Sequence, residues 1–175
     1  MSDYKTMTTA EIREDFLDFF ESKGCKKYPS SSLVPSDPSL LLANAGMNQF
    51  KEYYQGIKTM KEIGATSCQK CLRTNDIENI GDNRHLSFFE MLGNFSFGGY
   101  TKRDACTWAM EFISDPKHLG LPLDRLYFTV FTEDDEAAEI WESLGVAPDH
   151  ISRLGEEDNF WAAGPTGPCG PCSEI

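Results

Sequence analysis

Four groups of residues in this sequence are of types and spacings that could do chemistry. Two are Cys-x-x-Cys pairs, Cys68-Gln69-Lys70-Cys71 and Cys169-Gly170-Pro171-Cys172. Four thiolates can hold a zinc ion tetrahedrally. Zinc ribbons, however, usually separate their pairs by about 15–20 residues, far less than the spacing here. Cys68 and Cys71 also fall in a run that reads as a strand, where period-two alternation turns them to opposite sides. The second pair has the spelling of a redox dithiol, which should follow a strand and open a helix whose N-terminus lowers the first thiol's pKa. It follows Gly164-Pro165-Thr166-Gly167-Pro168 instead, which fits a rigid loop. The expectation is packed, reduced thiols, with no metal ligand assigned.

The third group centres on Arg73, at the end of the same run and just before a polar turn. An arginine there can present a rigid fork to a phosphate. The return run, Arg84 to Glu90, carries adjacent aromatics, Phe88 and Phe89, which face opposite sides of a strand. One can belong to a core while the other stacks on a planar base. Arginine on one strand and an aromatic on its partner make a compact nucleotide grip. Neither GxxxxGK[ST] nor GxGxxG occurs, so this is not a glycine-rich phosphate loop. The fourth group is Asn159-Phe160-Trp161 with the glycine- and proline-rich stretch after it. Those residues leave the backbone few paths, and loops so constrained are often functional. A rigid surface turn, with Trp161 in a core, is the competing reading.

The elements that must position these groups can be read along the chain. Thr8 and Glu11 form a capping box. Ile12, Phe16, Phe19 and Phe20 then recur at helical spacing, and Gly24 is placed to stop the helix. A short strand from Lys26 to Tyr28 follows, then a Ser- and Pro-rich extended stretch from Pro29 to Pro38. Asn44-Ala45-Gly46-Met47 breaks a short apolar run. Ala65 to Arg73 and His85 to Leu92 read as strands joined by the polar turn Thr74 to Asn83. Thr101 caps a second helix with Asp104 at its third position, its buried stripe being Ala105, Trp108, Ala109, Phe112 and Ile113. A strand spans Leu126 to Phe131. A third helix runs from about Asp134 to Leu144, with Ile140, Trp141 and Leu144 inward, and Gly145 ends it. The remainder from Ser152 reads as loop. Helices and strands do not alternate regularly, which favours an α+β fold with a mainly antiparallel sheet over a doubly wound one.

Composition bounds the function. With 175 residues, 40% hydrophobic and 25% charged, the chain is too apolar for disorder and long enough to bury a core. Its net charge of −12 argues against this stretch being the main grip on a polyanion. It leaves room for a small phosphate ligand, which needs only one or two placed cations. No signal core precedes Asp15, and no run approaches the roughly 18 apolar residues of a membrane span. The chain reads as soluble and cytoplasmic, with no membrane partner.

Four segments carry a family resemblance: SSSLVPSDPSLLLANAGMNQFK at 30–51, TSCQKCLRTNDIENIG at 66–81, RHLSFFEMLGNFSFGGY at 84–100 and DNFWAAGPTGPCGPCSEI at 158–175. In order, and over nearly the whole chain, they resemble the alanyl-tRNA synthetase family of class II aminoacyl-tRNA synthetases. The resemblance implies the N-terminal portion, residues 1–175, of a class II catalytic domain, an antiparallel sheet flanked by helices, stopping before motif 3. It implies an ATP-dependent aminoacyl-tRNA ligase that joins alanine to ATP, releases pyrophosphate and passes the alanyl group to tRNA(Ala). The first helix and the strand leading to Pro35 resemble motif 1, and Arg73 with the Phe88-Phe89-Glu90 strand resembles motif 2. By that resemblance Arg73 contacts the α-phosphate of ATP and is the catalytic residue. Phe88 or Phe89, with Phe89 favoured, stacks on adenine, and Glu90 lies close by. Trp161 resembles the residue that walls the alanine and ATP pocket. One methylene in such a pocket is worth only about 1–3 kcal/mol, which accounts for the family's separate editing domain.

The substrates implied are ATP with Mg2+, L-alanine and tRNA(Ala). Zinc is expected only in the editing domain, and the main tRNA contacts are expected beyond Ile175. The turn Thr74-Asn75-Asp76 is shorter than in many family members, which carry an extra Gly-Gly-Lys-His stretch there. Leu86 stands where many have a second histidine. The stretch alone is expected to activate alanine poorly. Two rival readings are a synthetase-like binding module without ligase activity and a zinc or thiol-redox protein.

Overall fold

The computed structural model describes residues 6–37, 40–74, 77–83, 85–164 and 166–175. Of the positions singled out above, Pro38, Asn75, Asp76, Arg84 and Pro165 lie outside the described residues. The described residues divide into two compact units, residues 8–100, and residues 101–175 together with residues 6–7.

In the first unit, helix α1 (Thr9–Ser22) begins at the expected capping box. The Glu11 amide donates to the Thr8 hydroxyl (3.3 Å), and the Thr8 amide donates to the Glu11 carboxylate (2.7 Å). Together they satisfy amides that the helix itself leaves unpaired. Phe19 and Phe20 are the stripe residues fully buried, packed edge to face at 5.1 Å. Strand β1 (Cys25–Tyr28) pairs parallel with β2 (Gly64–Leu72), which pairs antiparallel with β3 (Phe88–Ser96). A 3₁₀ turn, Gly46–Phe50, leads into the single-turn helix α2 (Lys51–Tyr54). Phe50, Ala65 and Phe95 form the centre of this core, with Tyr28, Met47, Tyr53 and Phe97 around them.

Strand β3 starts three residues later than His85 and runs past Leu92 to Ser96. The strand continues through Gly93, although a glycine inside a strand weakens it. The structure shows why glycine is there: a Cβ at Gly93 would stand 2.4 Å from Cζ of Phe95. The missing side chain makes room for the Phe95 ring, and that ring fills the core.

In the second unit, helix α3 (Lys102–Ser114) opens with another capping box. The Thr101 amide donates to Asp104 (2.8 Å), and the Asp104 amide donates back to the Thr101 hydroxyl (3.3 Å). The Thr101 hydroxyl also holds the Asp104 carboxyl below the usual carboxylate range. Its most buried residues are Cys106, Met110 and Phe112, so the expected stripe is corrected by a rotation. Small Ala109 only flanks the core, which takes Cys106 and the longer Met110. Strand β4 (Phe128–Phe131) starts two residues later than expected, after a 3₁₀ turn at Leu123–Arg125. Helix α4 (Asp135–Ser143) is capped by Asp134 and buries Ile140 and Trp141.

The stretch read as loop contains strand β5 (Ile151–Leu154), the single turn α5 (Glu156–Asn159), and strands β6 (Phe160–Ala162), β7 (Cys169–Pro171) and β8 (Ser173–Glu174). These strands are too short to show a period in sequence; their partners define them. β4 pairs parallel with β5 and antiparallel with β8, and β6 pairs antiparallel with β7. The fold is α+β. Its longest ladder is antiparallel, as expected, but each three-stranded sheet also has a parallel pair.

Candidate nucleotide site

Arg73 follows directly on β2 and is fixed by backbone on both sides. Its amide donates to the Ser87 carbonyl (2.8 Å), and the Leu72 amide donates to the Ala43 carbonyl (2.9 Å). Its side chain is tethered too, because Nε donates to the Asn44 carbonyl at 3.1 Å. The two terminal guanidinium nitrogens take no partner among the described residues. A fork held at its base with two donors open suits a phosphate or carboxylate.

The Asn44 carbonyl is itself held in place. The Asn44 and Ala45 amides both donate to Oδ1 of Asn48, at 3.0 and 2.8 Å. The Gly46 amide donates to Sδ of Met91 (3.2 Å), and a Cβ at Gly46 would lie 2.9 Å from Cζ of Phe95. Only glycine lets this segment come so close to β3. Sequence reading took Asn44 to Met47 as a break in an apolar run. The one local signal was an asparagine three and four residues after the amides it caps.

Register decides which aromatic shares a face with Arg73. Cys71 lies opposite Phe89, and Leu72 opposite Phe88. Opposed residues share a face and neighbours alternate, so Cys71, Arg73 and Phe89 are on one side. The Arg73 guanidinium carbon lies 5.2 Å from the centroid of the Phe89 ring, a cation–π distance. Phe88 is on the other side and 50% exposed.

Glu90, opposite Lys70, shares the Phe88 side. Arg13 of α1 donates to its Oε2 through Nε (3.2 Å) and Nη2 (2.7 Å). That hydrogen bond raises the Arg13 pKa, and burial raises that of neighbouring Cys68. The structure therefore brings Arg73 and Phe89 together and places Phe88 and Glu90 across the sheet from them.

Gln69, on the Arg73 side and almost fully buried, was passed over as a spacer between cysteines. Its Oε1 accepts from the Ser31 amide (2.8 Å), the Ser31 hydroxyl (3.0 Å) and Nε2 of Gln49 (3.2 Å). Its Nε2 donates to the carbonyls of Ser31 (3.2 Å) and Lys70 (2.7 Å). One buried amide thus pins the Ser-rich segment and the 3₁₀ turn to β2.

Trp161 belongs to the second unit. It sits in β6 opposite Gly170 and is 36% exposed, so it is not a core residue. The Ala163 amide donates to the Pro168 carbonyl (2.9 Å), closing the hairpin. Asn159, fully buried, anchors the base: its Nδ2 donates to Thr129 Oγ1 and to the Cys172 carbonyl, both at 2.9 Å. The Ser173 hydroxyl accepts from Trp141 Nε1 and donates to the Thr129 carbonyl, both at 2.7 Å. Neither Asn159 nor Ser173 was picked out in sequence as an anchor. Cys169 is exposed at the start of a strand, not a helix.

Among the described residues, no three His, Cys, Asp or Glu side chains converge to hold a metal ion. No helix among them is long and apolar enough to cross a membrane.

Comparison with known proteins adds to this geometry. Residues 11–175 match the family model described as tRNA synthetases class II (A). The chain is 54% identical over 177 residues to the alanine–tRNA ligase of Rhodopirellula baltica, covering 97% of this chain and 19% of that protein. It is 57% identical over 166 residues to the chloroplastic/mitochondrial alanine–tRNA ligase of Oryza sativa subsp. indica, covering 94% and 16%. It is 54% identical over 167 residues to the alanine–tRNA ligase of Dehalococcoides mccartyi, covering 94% and 19%. The chain therefore spans less than a fifth of the length of these curated relatives.

Proposed function

Because the chain belongs to the class II tRNA synthetase family, we propose that it carries the ATP-binding face of an alanine–tRNA ligase. One observation carries the residue assignment. Arg73 and Phe89 share a sheet face at 5.2 Å, in a chain 54–57% identical to proteins named alanine–tRNA ligases.

In the proposed reaction a carboxylate oxygen of alanine attacks the α-phosphorus of ATP. A new O–P bond forms, the bond to the bridging oxygen breaks, and pyrophosphate leaves with that electron pair. Negative charge grows on the α-phosphate oxygens as this happens. The open nitrogens of Arg73 donate to those oxygens, and the Asn44 tether keeps the fork from reorienting as the charge develops. Phe89 stacks on the adenine. Mg2+ enters with ATP as part of the substrate complex and neutralises phosphate charge. The alanyl group then passes to the terminal adenosine of tRNA(Ala), with pyrophosphate and AMP as the other products of the two steps.

Phe88 and Glu90, across the sheet, take supporting parts. The Arg13–Glu90 pair ties α1 to β3 and so holds the strand that carries Phe89. Trp161, with an indole partly open to solvent, is proposed as a wall for alanine. Its own test is a raised KM for alanine in Trp161→Ala with little change in the KM for ATP. The cytoplasmic expectation is carried into this proposal. One relative is named chloroplastic/mitochondrial, so cell fractionation is its check.

The central experiment is alanine-dependent ATP–pyrophosphate exchange by the full-length protein and its Arg73→Ala variant. Losing a preorganised donor to a developing charge costs about 10²-fold or more in kcat. Near-normal exchange by the variant overturns the role given to Arg73. Absence of exchange by the unaltered protein overturns the ligase reading in favour of a binding module.

A further inference from the structure

The tether on Arg73 runs through a single peptide unit. The peptide joining Asn44 to Ala45 presents its carbonyl to Nε of Arg73 (3.1 Å) and its N–H to Oδ1 of Asn48 (2.8 Å). A peptide is planar, and its C=O and N–H point in opposite directions. Fixing one end of that plane therefore fixes the other. Asn48 holds the N–H end, and a second donation from the Asn44 amide at 3.0 Å holds Oδ1 itself in place.

We infer that Asn48 is a positioning residue for Arg73, acting through the Asn44–Ala45 peptide. The inference rests on the assignment of Arg73 to the α-phosphate. Without the Asn48 oxygen, the Ala45 N–H loses its acceptor and the peptide is free to rotate toward another. Rotation turns the Asn44 carbonyl away from Nε, and the fork loses its base. The guanidinium still bears its charge but samples several rotamers over Phe89. Ground-state attraction to a nucleotide survives this better than transition-state alignment does, because alignment needs one geometry. The loss should therefore fall on kcat more than on the KM for ATP.

The test uses alanine-dependent ATP–pyrophosphate exchange by the full-length protein, with thermal unfolding recorded for each variant. Asn48→Ala is expected to lower kcat roughly tenfold and to change the KM for ATP by less than about threefold. Asn48→Asp keeps an acceptor oxygen in the same place and is expected to retain kcat within about threefold. In an Arg73→Ala background, Asn48→Ala is expected to add less than about a twofold loss, because its target is gone.

An unchanged kcat in Asn48→Ala overturns the inference. So does a further tenfold loss on top of Arg73→Ala, which marks a general structural role. Equal damage from the Asp and Ala variants overturns it as well. Should Asn48→Ala not fold, Asn48→Gln carries the test: it displaces the oxygen by one methylene and has the same expected fall in kcat. Failure of the underlying reading looks different, since Arg73→Ala alone then leaves exchange intact.

Discussion

The sheet register separates two adjacent phenylalanines, and a pair of substitutions can read that separation. Phe89→Leu and Phe88→Leu each keep an apolar side chain of similar bulk, a swap that usually costs less than about 1.5 kcal/mol of stability. Phe89 lies on the Arg73 face, 5.2 Å from its guanidinium carbon. Phe88 lies across the sheet, opposite Leu72. Stacking of a base on an aromatic ring is worth about 1–3 kcal/mol by side-chain removal. A cation–π contact kept in both the free and the nucleotide-bound states cancels in a binding ratio. At about 1.4 kcal/mol per tenfold, full loss of the stack is about five- to 150-fold in the KM for ATP. Leucine keeps some apolar contact with the purine, so the expected rise for Phe89→Leu is in the lower part of that range, about five- to twentyfold. Phe88→Leu is expected to change it less than about threefold. The assay is pyrophosphate exchange over a range of ATP at saturating alanine, with unfolding midpoints recorded for both variants. A larger rise in the KM for ATP from Phe88→Leu than from Phe89→Leu refutes the face assignment, and with it the reasoning from register.

Three further outcomes are expected. Gly93→Ala places a methyl 2.4 Å from Cζ of Phe95; the packed ring must turn, and the urea midpoint should report a loss of about 1–3 kcal/mol. Trp141→Phe removes the indole donor to Ser173, a hydrogen bond worth about 1 kcal/mol net. Hydrogen exchange at the amides of β8 should then speed up before that of β4, and equal acceleration of both counts against a local anchor. Burial pushes the Cys25 and Cys106 thiols up to about 11 from an ordinary 9.0. The folded chain keeps them neutral while the unfolded chain ionises, so the stability they contribute is full below pH 9.0 and is lost as the pH rises toward about 11. The urea midpoint should fall across that window, and fall less in a Cys25→Ala, Cys106→Ala double variant.

What the sequence determined by itself is what neighbouring residues decide among themselves. The capping boxes at Thr8 and Glu11 and at Thr101 and Asp104 each link residues three apart, and both formed. The two long strands around the polar turn were legible from their apolar runs. The position of Arg73 at the end of the first of them was legible in the same way. The family resemblance rests on long ordered motifs, and the comparisons bear it out.

Tertiary structure alone decided the rest. The strand positions of Phe88 and Phe89 show that they face opposite ways, but not which way. That depends on register across a turn of more than ten residues, where a slip of one exchanges the faces. The strands of the 151–175 stretch exist only because β4 and one another supply their partners, so no period of their own could announce them. Gln69 and Asn159 are of ordinary appearance in sequence. Their partners lie as far as 38 residues away for Gln69 and 30 for Asn159. The Asn44 carbonyl that holds Arg73 is 29 residues from it. A hydrogen bond between groups so distant in the chain leaves no mark on the residues between them, and only folding brings the donor to its acceptor.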